Sequence, residues 1–327
     1  MRILFLLVLL ASCASTTTST LKPQFNKDLD GFDYPYEVRT FTLTDYSMAY
    51  MDIPSVGPSR GTVVLMHGKN FNGAYWGKSA ADLSKIGFRV IIPDQLGFGK
   101  SDKPTDYQYS FHALADNTRR LLDSLKIEQV SLVGHSMGGM VATRFALMFP
   151  KRVTRLALVN PIGLEDWKRY VPYTPIDQRI SGEKKQTRES IVAYQMKAYY
   201  DGKWSDEYEQ TAAHLIGWAQ GPDKDITAEV AALTYEMVFT QPVVYEFELL
   251  TMPTHLIIGE RDRTALGRNL VPSKVAQNLG RYDRLGKQTC KKIKNCSLFS
   301  LKGIGHLPQV ESYNEYITSL RDFLIRK

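Results

Sequence analysis

Cysteine is scarce in this chain, with three in 327 residues. No pair of them stands as Cys-X-X-Cys, and no His-Glu-X-X-His occurs, so the usual local zinc patterns are missing. A Walker-type phosphate loop and a Gly-X-Gly-X-X-Gly turn are missing too, which leaves no motif for a nucleotide or dinucleotide. No apolar run reaches the roughly 20 residues needed to span a bilayer as a helix. Internal repeats and long low-complexity runs do not occur. The net charge of +7 comes without a stripe of interleaved aromatic and basic residues. It reads as solvated surface, with weak attraction to anionic membrane as the sharper alternative, and not as a nucleic-acid face. The chemistry is therefore expected to need no cofactor, no metal and no nucleic-acid partner.

Apolar content of 43% and charged content of 23% suit an ordinary globular protein. The length fits one large α/β domain carrying an insertion better than two independent domains. Val38–Leu43 and Met48–Asp52 alternate like an opening antiparallel hairpin. Buried-type runs then recur at Thr62–Met66, Arg89–Pro93, Val130–Val133, Arg155–Val159, His255–Ile258 and Ser297–Leu301. Helical patterns at Tyr75–Ile86, Phe111–Leu125, Met137–Phe149 and Tyr313–Ile325 separate most of them. This alternation predicts an α/β fold with a mostly parallel, doubly wound sheet. The rhythm breaks between Pro161 and Leu250, where no strand pattern appears. Ile191–Tyr200 and Ala228–Phe239 are the clearest helices of that stretch.

The richest stretch is Val130-Ser131-Leu132-Val133-Gly134-His135-Ser136-Met137-Gly138-Gly139. A β-branched run enters a Gly-X-Ser-X-Gly turn, and a helical pattern leaves it and stops at Pro150. Strand, sharp turn and helix are the context of a nucleophile elbow. Such a turn lifts the Ser136 hydroxyl into the open at the end of the sheet. It also aims the Met137 N–H and the helix N-terminus at an oxyanion formed beside it.

A serine needs a base, and the base needs an orienting acid. Of six histidines, His135 sits inside the elbow and points away from the serine. His67 ends a strand and reads as structural. His112 and His214 lie in helical patterns, and His255 lies inside a strand pattern. His306 remains, in a glycine-flanked loop after the last strand. The acid should fall between serine and histidine in chain order. Asp262 does so, in the turn after Leu256-Ile257-Ile258-Gly259, with Glu260 as its nearby competitor.

Ser136, Asp262 and His306, delivered in that order by three strand-end loops, resemble the α/β-hydrolase superfamily from about Arg39 to the C-terminus. Thr62–Asn70 looks like the family's strand and His-Gly oxyanion loop. The resemblance implies that the backbone N–H of Lys69 or Asn70 joins that of Met137 as the second oxyanion donor. Asp94–Asp102 looks like the family's next loop, a glycine-rich turn shaping the pocket floor. The break after Val159 is where many members carry a helical cap, implying core segments at 35–160 and 251–327 around a cap at 161–250. A cap over the elbow would exclude water and shape an apolar pocket. Trp167, Tyr170, Tyr173, Trp204, Trp218, Tyr235 and Phe239 are its candidate liners, each weighed against a place in the cap's own core. A serine at the elbow argues against the dehalogenase and epoxide-hydrolase branches, which use aspartate there.

The N-terminus resembles a secretory leader, with Arg2 before the short apolar run Ile3–Leu10. Leu10-Ala11-Ser12-Cys13 looks like a bacterial lipobox, implying a signal peptide at 1–12, lipidation of Cys13 and a tether at 13–34. An ordinary secretory signal with Cys13 incidental is the alternative. The absence of Asp after Cys13 leans towards the outer membrane of a diderm cell envelope. An even remainder, Cys290 and Cys296, reads as a disulfide in an exported protein. The expected activity is a serine hydrolase cleaving a small-molecule carboxylic ester, lipid-anchored in the cell envelope. A C–C bond hydrolase or an aminopeptidase with the same triad is the nearest rival, and a non-catalytic lipid-anchored binding protein is the rival from another class. The oligomeric state is left open.

Overall fold

Residues 24–326 are described by a computed structural model. The leader, Cys13 and the Ser/Thr-rich Ala14–Thr20 lie outside the described residues. Eight strands, β1 (Val38–Thr42), β2 (Ser47–Ile53), β3 (Thr62–Met66), β4 (Arg89–Pro93), β5 (Val130–His135), β6 (Val153–Val159), β7 (Thr254–Gly259) and β8 (Cys296–Leu301), form one sheet. Their order is β1-β2-β4-β3-β5-β6-β7-β8. Only β2 runs antiparallel to its neighbours, and every other pair is parallel. The sheet is the mostly parallel, doubly wound one that the alternating pattern predicts.

The strands read as unbroken apolar runs because both faces are covered. Along β3, Val63 and Leu65 face one core while Val64 and Met66 face the other. The first core is closed by α1 (Gly77–Lys85) and α11 (Tyr313–Ile325). The second is closed by α2 (Phe111–Ser124), α3 (Met137–Met148) and α9 (Tyr282–Cys290). In α2, Phe111, Leu114, Ala115, Thr118, Leu121 and Leu122 are buried on one stripe, and the Ser110 hydroxyl caps the start by accepting from the Ala113 N–H at 3.0 Å.

Between β6 and β7 the chain leaves the sheet and forms α4 (Ile176–Glu183), α5 (Arg188–Ala198), α6 (Asp206–Gln220) and α7 (Lys224–Thr240). The sequence singles out only parts of α5 and α7. α4 has no buried residue, and α6 is started by the Ser205 cap and the acidic first turn Asp206, Glu207 and Glu209. Two single turns, α8 (Ser273–Ala276) and α10 (Pro308–Glu311), complete the helices of the described residues.

The expected tether at 13–34 needs correction at its far end. From Phe25 to Tyr34 the chain is a packed strap. The Phe25 N–H donates to Gly217 O at 3.2 Å, the Trp218 Nε1–H donates to Asn26 O at 3.0 Å, and the Tyr34 hydroxyl donates to Asp94 Oδ2 at 2.6 Å. Three aromatic rings, Phe25, Phe32 and Tyr34, give this segment enough apolar surface to leave solvent.

Cys290 and Cys296 form a disulfide with Cα atoms 5.4 Å apart, joining the end of α9 to the start of β8. The loop is short, so Cys296→Ser should lower unfolding stability by only about 2 kcal/mol. Urea melts of the variant and of reduced wild type should agree on that loss.

Buried histidines set an acid limit, His214 and His255 among them. Burial holds His214 at about 3 and His255 at about 4, against an ordinary 6.5. The unfolded chain accepts protons in this window that the folded protein refuses. Stability is full above about pH 6.5 and falls by roughly 1 kcal/mol per histidine per pH unit on acidification, until the folded groups themselves titrate. Urea melts at pH 6.5 and 5.5 should show this fall, and in His255→Gln the slope should drop by about one proton.

Candidate active site

β5 ends at His135 and α3 begins at Met137, so Ser136 carries the whole reversal, with φ 54° and ψ −122°. A side-chain-bearing residue at such angles costs on the order of 1–3 kcal/mol, and its surroundings must hold it there. The Ser136 N–H donates to Val159 O at 3.2 Å, and its carbonyl accepts from Gly139 N at 2.9 Å and Ile162 N at 3.2 Å. The turn also needs bare backbone. A Cβ on Gly134 would stand 2.4 Å from Gly138 O, and one on Gly138 would stand 2.2 Å from Met66 O.

The loops after β7 and β8 bring the other two residues to the serine. His306 Nδ1–H donates to Asp262 Oδ2 at 2.6 Å, and His306 Nε2 accepts from the Ser136 hydroxyl at 2.9 Å. The carboxylate can only accept at Nδ1, which fixes the neutral tautomer with a free Nε2 lone pair. His306 and Asp262 have no solvent exposure, and Ser136 has 5%. Burial alone would raise the Asp262 carboxyl. The His306 ring and the hydrogen bonds from His306 and Thr264 outweigh it and hold the group below its ordinary range. Both nitrogens of His306 are thus occupied by Asp262 and Ser136, and the competitor Glu260 has no share in the chain.

Sequence reasoning missed three supporting residues. Asn160 follows β6 at φ 34°, a backbone that asparagine tolerates. Its Nδ2–H donates to Asp262 Oδ2 at 2.9 Å and its Oδ1 accepts from Gly259 N at 2.7 Å. It therefore clamps both the acid and the strand end that carries it. His135 makes no hydrogen bond to the serine, but its ring lies 4.9 Å from that of His306, centroid to centroid. Its Nε2–H donates to the His306 carbonyl at 2.8 Å, so its Nδ1 must accept from the Tyr75 hydroxyl at 3.0 Å. Burial keeps this imidazole neutral, with a pKa well below the usual one. Tyr199, at the end of α5, stacks on His306 with centroids 4.6 Å apart and planes at 21°. A search for titratable groups overlooks Asn160, and nothing in one sequence says where the rings of His135 and Tyr199 reach.

The expected oxyanion loop passes beside the elbow, since a Cβ on Gly68 would lie 2.9 Å from Ser136 Cβ. Lys69 and Asn70 line the same cavity as Ser136, and Met137 is the first residue of α3, whose N–H has no helical partner. His67 is structural as read: its Nε2 accepts from Gln95 N at 3.0 Å and ties this loop to the next one. Among the described residues no group of His, Cys, Asp and Glu is placed to hold a metal ion.

A cavity of about 600 Å³ opens over Ser136, between the sheet's strand ends and the inserted helices. Phe98, Tyr194, Tyr199, Trp218 and Tyr235 supply its aromatic wall. Five of the seven expected liners fall elsewhere. Trp167 is 3% exposed within the core and donates its Nε1–H to Glu165, Phe239 is also core, and Tyr170 is 52% exposed at the surface. Tyr173 is likewise exposed, and Trp204 packs on Tyr200 and Tyr208. Aromatic content marks the insertion, but helix rotation decides which rings face the cavity.

Residues 61–179 match the family pattern described as the alpha/beta hydrolase fold. The chain is similar to the crystal structure of a "probable hydrolytic enzyme" from Pseudomonas aeruginosa PAO1, at 42% identity and a TM-score of 0.91, covering 94% of this chain and 99% of that one. It is similar over 123 residues to an uncharacterized protein of Mycobacterium bovis, at 44% identity, covering 38% of this chain and 34% of the relative. It is similar over 76 residues to a 2-hydroxymuconate semialdehyde hydrolase of a Pseudomonas species, at 47% identity, covering 23% of this chain and 27% of the relative. The chain thus spans about a third, or less, of the length of these last two relatives.

Asn160→Gly removes the clamp while suiting the backbone angle. It should slow the reaction of Ser136 with a fluorophosphonate about tenfold, the equivalent of about one hydrogen bond. The labelling rate, followed by mass spectrometry beside a melting curve, checks this.

Proposed function

The chain belongs to the α/β-hydrolase superfamily, and from that premise we propose that it is a serine hydrolase cleaving a small-molecule carboxylic ester through an acyl-enzyme. One observation carries the reading: an unbroken hydrogen-bonded series from Asp262 through His306 to Ser136, ending in an aromatic-walled cavity.

Ser136 Oγ attacks the acyl carbon while His306 Nε2 takes its proton. Asp262 holds the imidazole and stabilises the imidazolium, and its lowered pKa keeps it ionised for that role. The Met137 amide and that of Lys69 or Asn70 receive the oxyanion, a term worth roughly 3–4 kcal/mol per well-placed donor. Collapse of the adduct expels the alcohol with the proton from His306. Water, deprotonated by the same nitrogen, then attacks the acyl-enzyme and releases the acid and a free Ser136 hydroxyl.

The helices of 161–250 act in this reading as the cap, with Tyr199 covering the base and Tyr235 and Trp218 meeting the substrate. The enzyme is exported and held in the cell envelope by a lipid on Cys13. The lipobox-like Leu10–Cys13 supports this, and so does a disulfide, which persists in oxidising compartments. A second reading, C–C bond hydrolysis by the same triad, is favoured by the short similarity to a semialdehyde hydrolase.

Ser136→Ala, His306→Ala and Asp262→Asn should each lower ester turnover, by roughly 10³- to 10⁶-fold, without additivity, and Asp262→Asn should be the mildest. Nitrophenyl esters of graded chain length, run beside a diketone, check both readings. Full ester turnover by Ser136→Ala would end the first, and turnover of the diketone alone would favour the second.

A further inference from the structure

We propose that the cavity contains an anion-binding subsite made by Arg179 and Lys69, and that the ester cleaved at Ser136 carries a free carboxylate. The inference deepens the esterase reading and rests on it for the word ester, although the subsite itself stands on separate observations. Arg179, Lys69 and Ser136 line one cavity of about 600 Å³. Three of the partly buried guanidinium groups on the described residues are paired with carboxylates, Arg144 with Glu246, Arg188 with Glu209, and Arg261 with Glu311. Arg179 is not. Its guanidinium lies over the Tyr235 ring, 3.5 Å from the centroid, and its Nε–H is buried with no acceptor.

A buried donor left without an acceptor costs about 1–3 kcal/mol, more when charged, so its persistence calls for a partner that arrives from outside. Lys69 adds a second cation. It lines the same cavity as Arg179 and Glu183, and burial lowers its pKa, with Glu183 opposing that shift and Arg179 reinforcing it. Glu183, one turn beyond Arg179 in α4, is the single carboxylate among the cavity-lining residues. Lys224 also lines the cavity, with its ammonium donating to the Gln186 carbonyl at 3.3 Å, so three cations face one carboxylate in a space walled by aromatic rings. An added anion offsets that excess of positive charge.

The geometry points to a carboxylate. Stacking on Tyr235 fixes the plane of the Arg179 fork, and a fixed fork matches two carboxylate oxygens. The subsite shares its cavity with the nucleophile, and Lys69 follows Gly68, where an added Cβ would lie 2.9 Å from Ser136 Cβ. The substrate is then a half-ester of a dicarboxylic acid, or an ester whose alcohol part is acidic, with a few carbons between the two groups.

The test compares 4-nitrophenyl hydrogen adipate with 4-nitrophenyl hexanoate on the full protein. Wild type should prefer the adipate ester in kcat/KM by at least tenfold. In Arg179→Gln that ratio should fall tenfold or more, whatever the absolute rates. A readout without turnover runs beside it: adipate at 10 mM should raise the melting temperature of Ser136→Ala, but not that of Ser136→Ala combined with Arg179→Gln. If Arg179→Gln does not fold, Lys69→Gln, which keeps its backbone amide, takes its place in both arms with the same expectation.

Fluorophosphonate labelling of Ser136 separates the two levels of failure. Labelled enzyme that hydrolyses the hexanoate without preferring the adipate ester, and is not stabilised by adipate, overturns the subsite and leaves the esterase. Unlabelled protein that cleaves neither ester, yet is stabilised by adipate through Arg179, supports the subsite and ends the esterase reading.

Discussion

The Asp262 carboxylate is buried away from solvent, and the arrangement of the site follows from keeping it charged there. An ion in that position survives only when protein donors replace its hydration. Three supply them: the His306 ring, the Asn160 side chain and the Thr264 amide. Each donor sits on a different piece of chain, after β8, after β6 and in the turn after β7. Satisfying the acid therefore also locks three strand-end loops to one another. Ser136 is drawn into the same knot, since its N–H is tied to Val159, the last residue of β6, beside Asn160.

The histidine is held from both sides of its peptide. Its ring is aligned by Asp262 and its carbonyl by His135, while Glu311 accepts from the Gly305 N–H just before it. His135 belongs to the same elbow as the serine. The spacing between Ser136 and His306 is thus set twice, once by the hydrogen-bonded side chains of Asp262, His306 and Ser136 and once by the neutral His135 imidazole. This is how a loop residue acquires the placement that proximity effects require.

The sheet, the elbow and the three side chains that meet in the hydrogen-bonded series were legible in the sequence because each obeys a local rule. Two-faced burial gives unbroken apolar runs, and a turn with no room for a Cβ shows itself as glycine. Asp262 and His306 stand next to such turns. Their supporters obey no local rule. Asn160 is one asparagine after a strand, and its value depends on Asp262, which lies far off in the chain. The insertion was legible as helical and aromatic, but not in detail. Tyr199 and Tyr235 reach the site while Trp167 and Phe239 go to the core. Composition does not distinguish them, because the rotation of each helix is chosen by packing against partners outside its own window.

The strap from Phe25 to Tyr34 has a mechanical consequence. Its first contacts are with Gly217 and Trp218 of α6, in the insertion that roofs the cavity, and its last is with Asp94 of the core. A lipid on Cys13 would hold the chain by that roof, not by the sheet. From Cys13 to Gln24 a fully stretched chain reaches about 40 Å at most. On the proposed lipid anchor, such a leash would keep the roofed side within about one protein diameter of the bilayer and confine the protein to a thin shell of the envelope. Inside that shell encounter would depend on how fast substrates leave or cross the lipid surface, so such an anchor would act as a filter on supply that no side chain in the cavity provides.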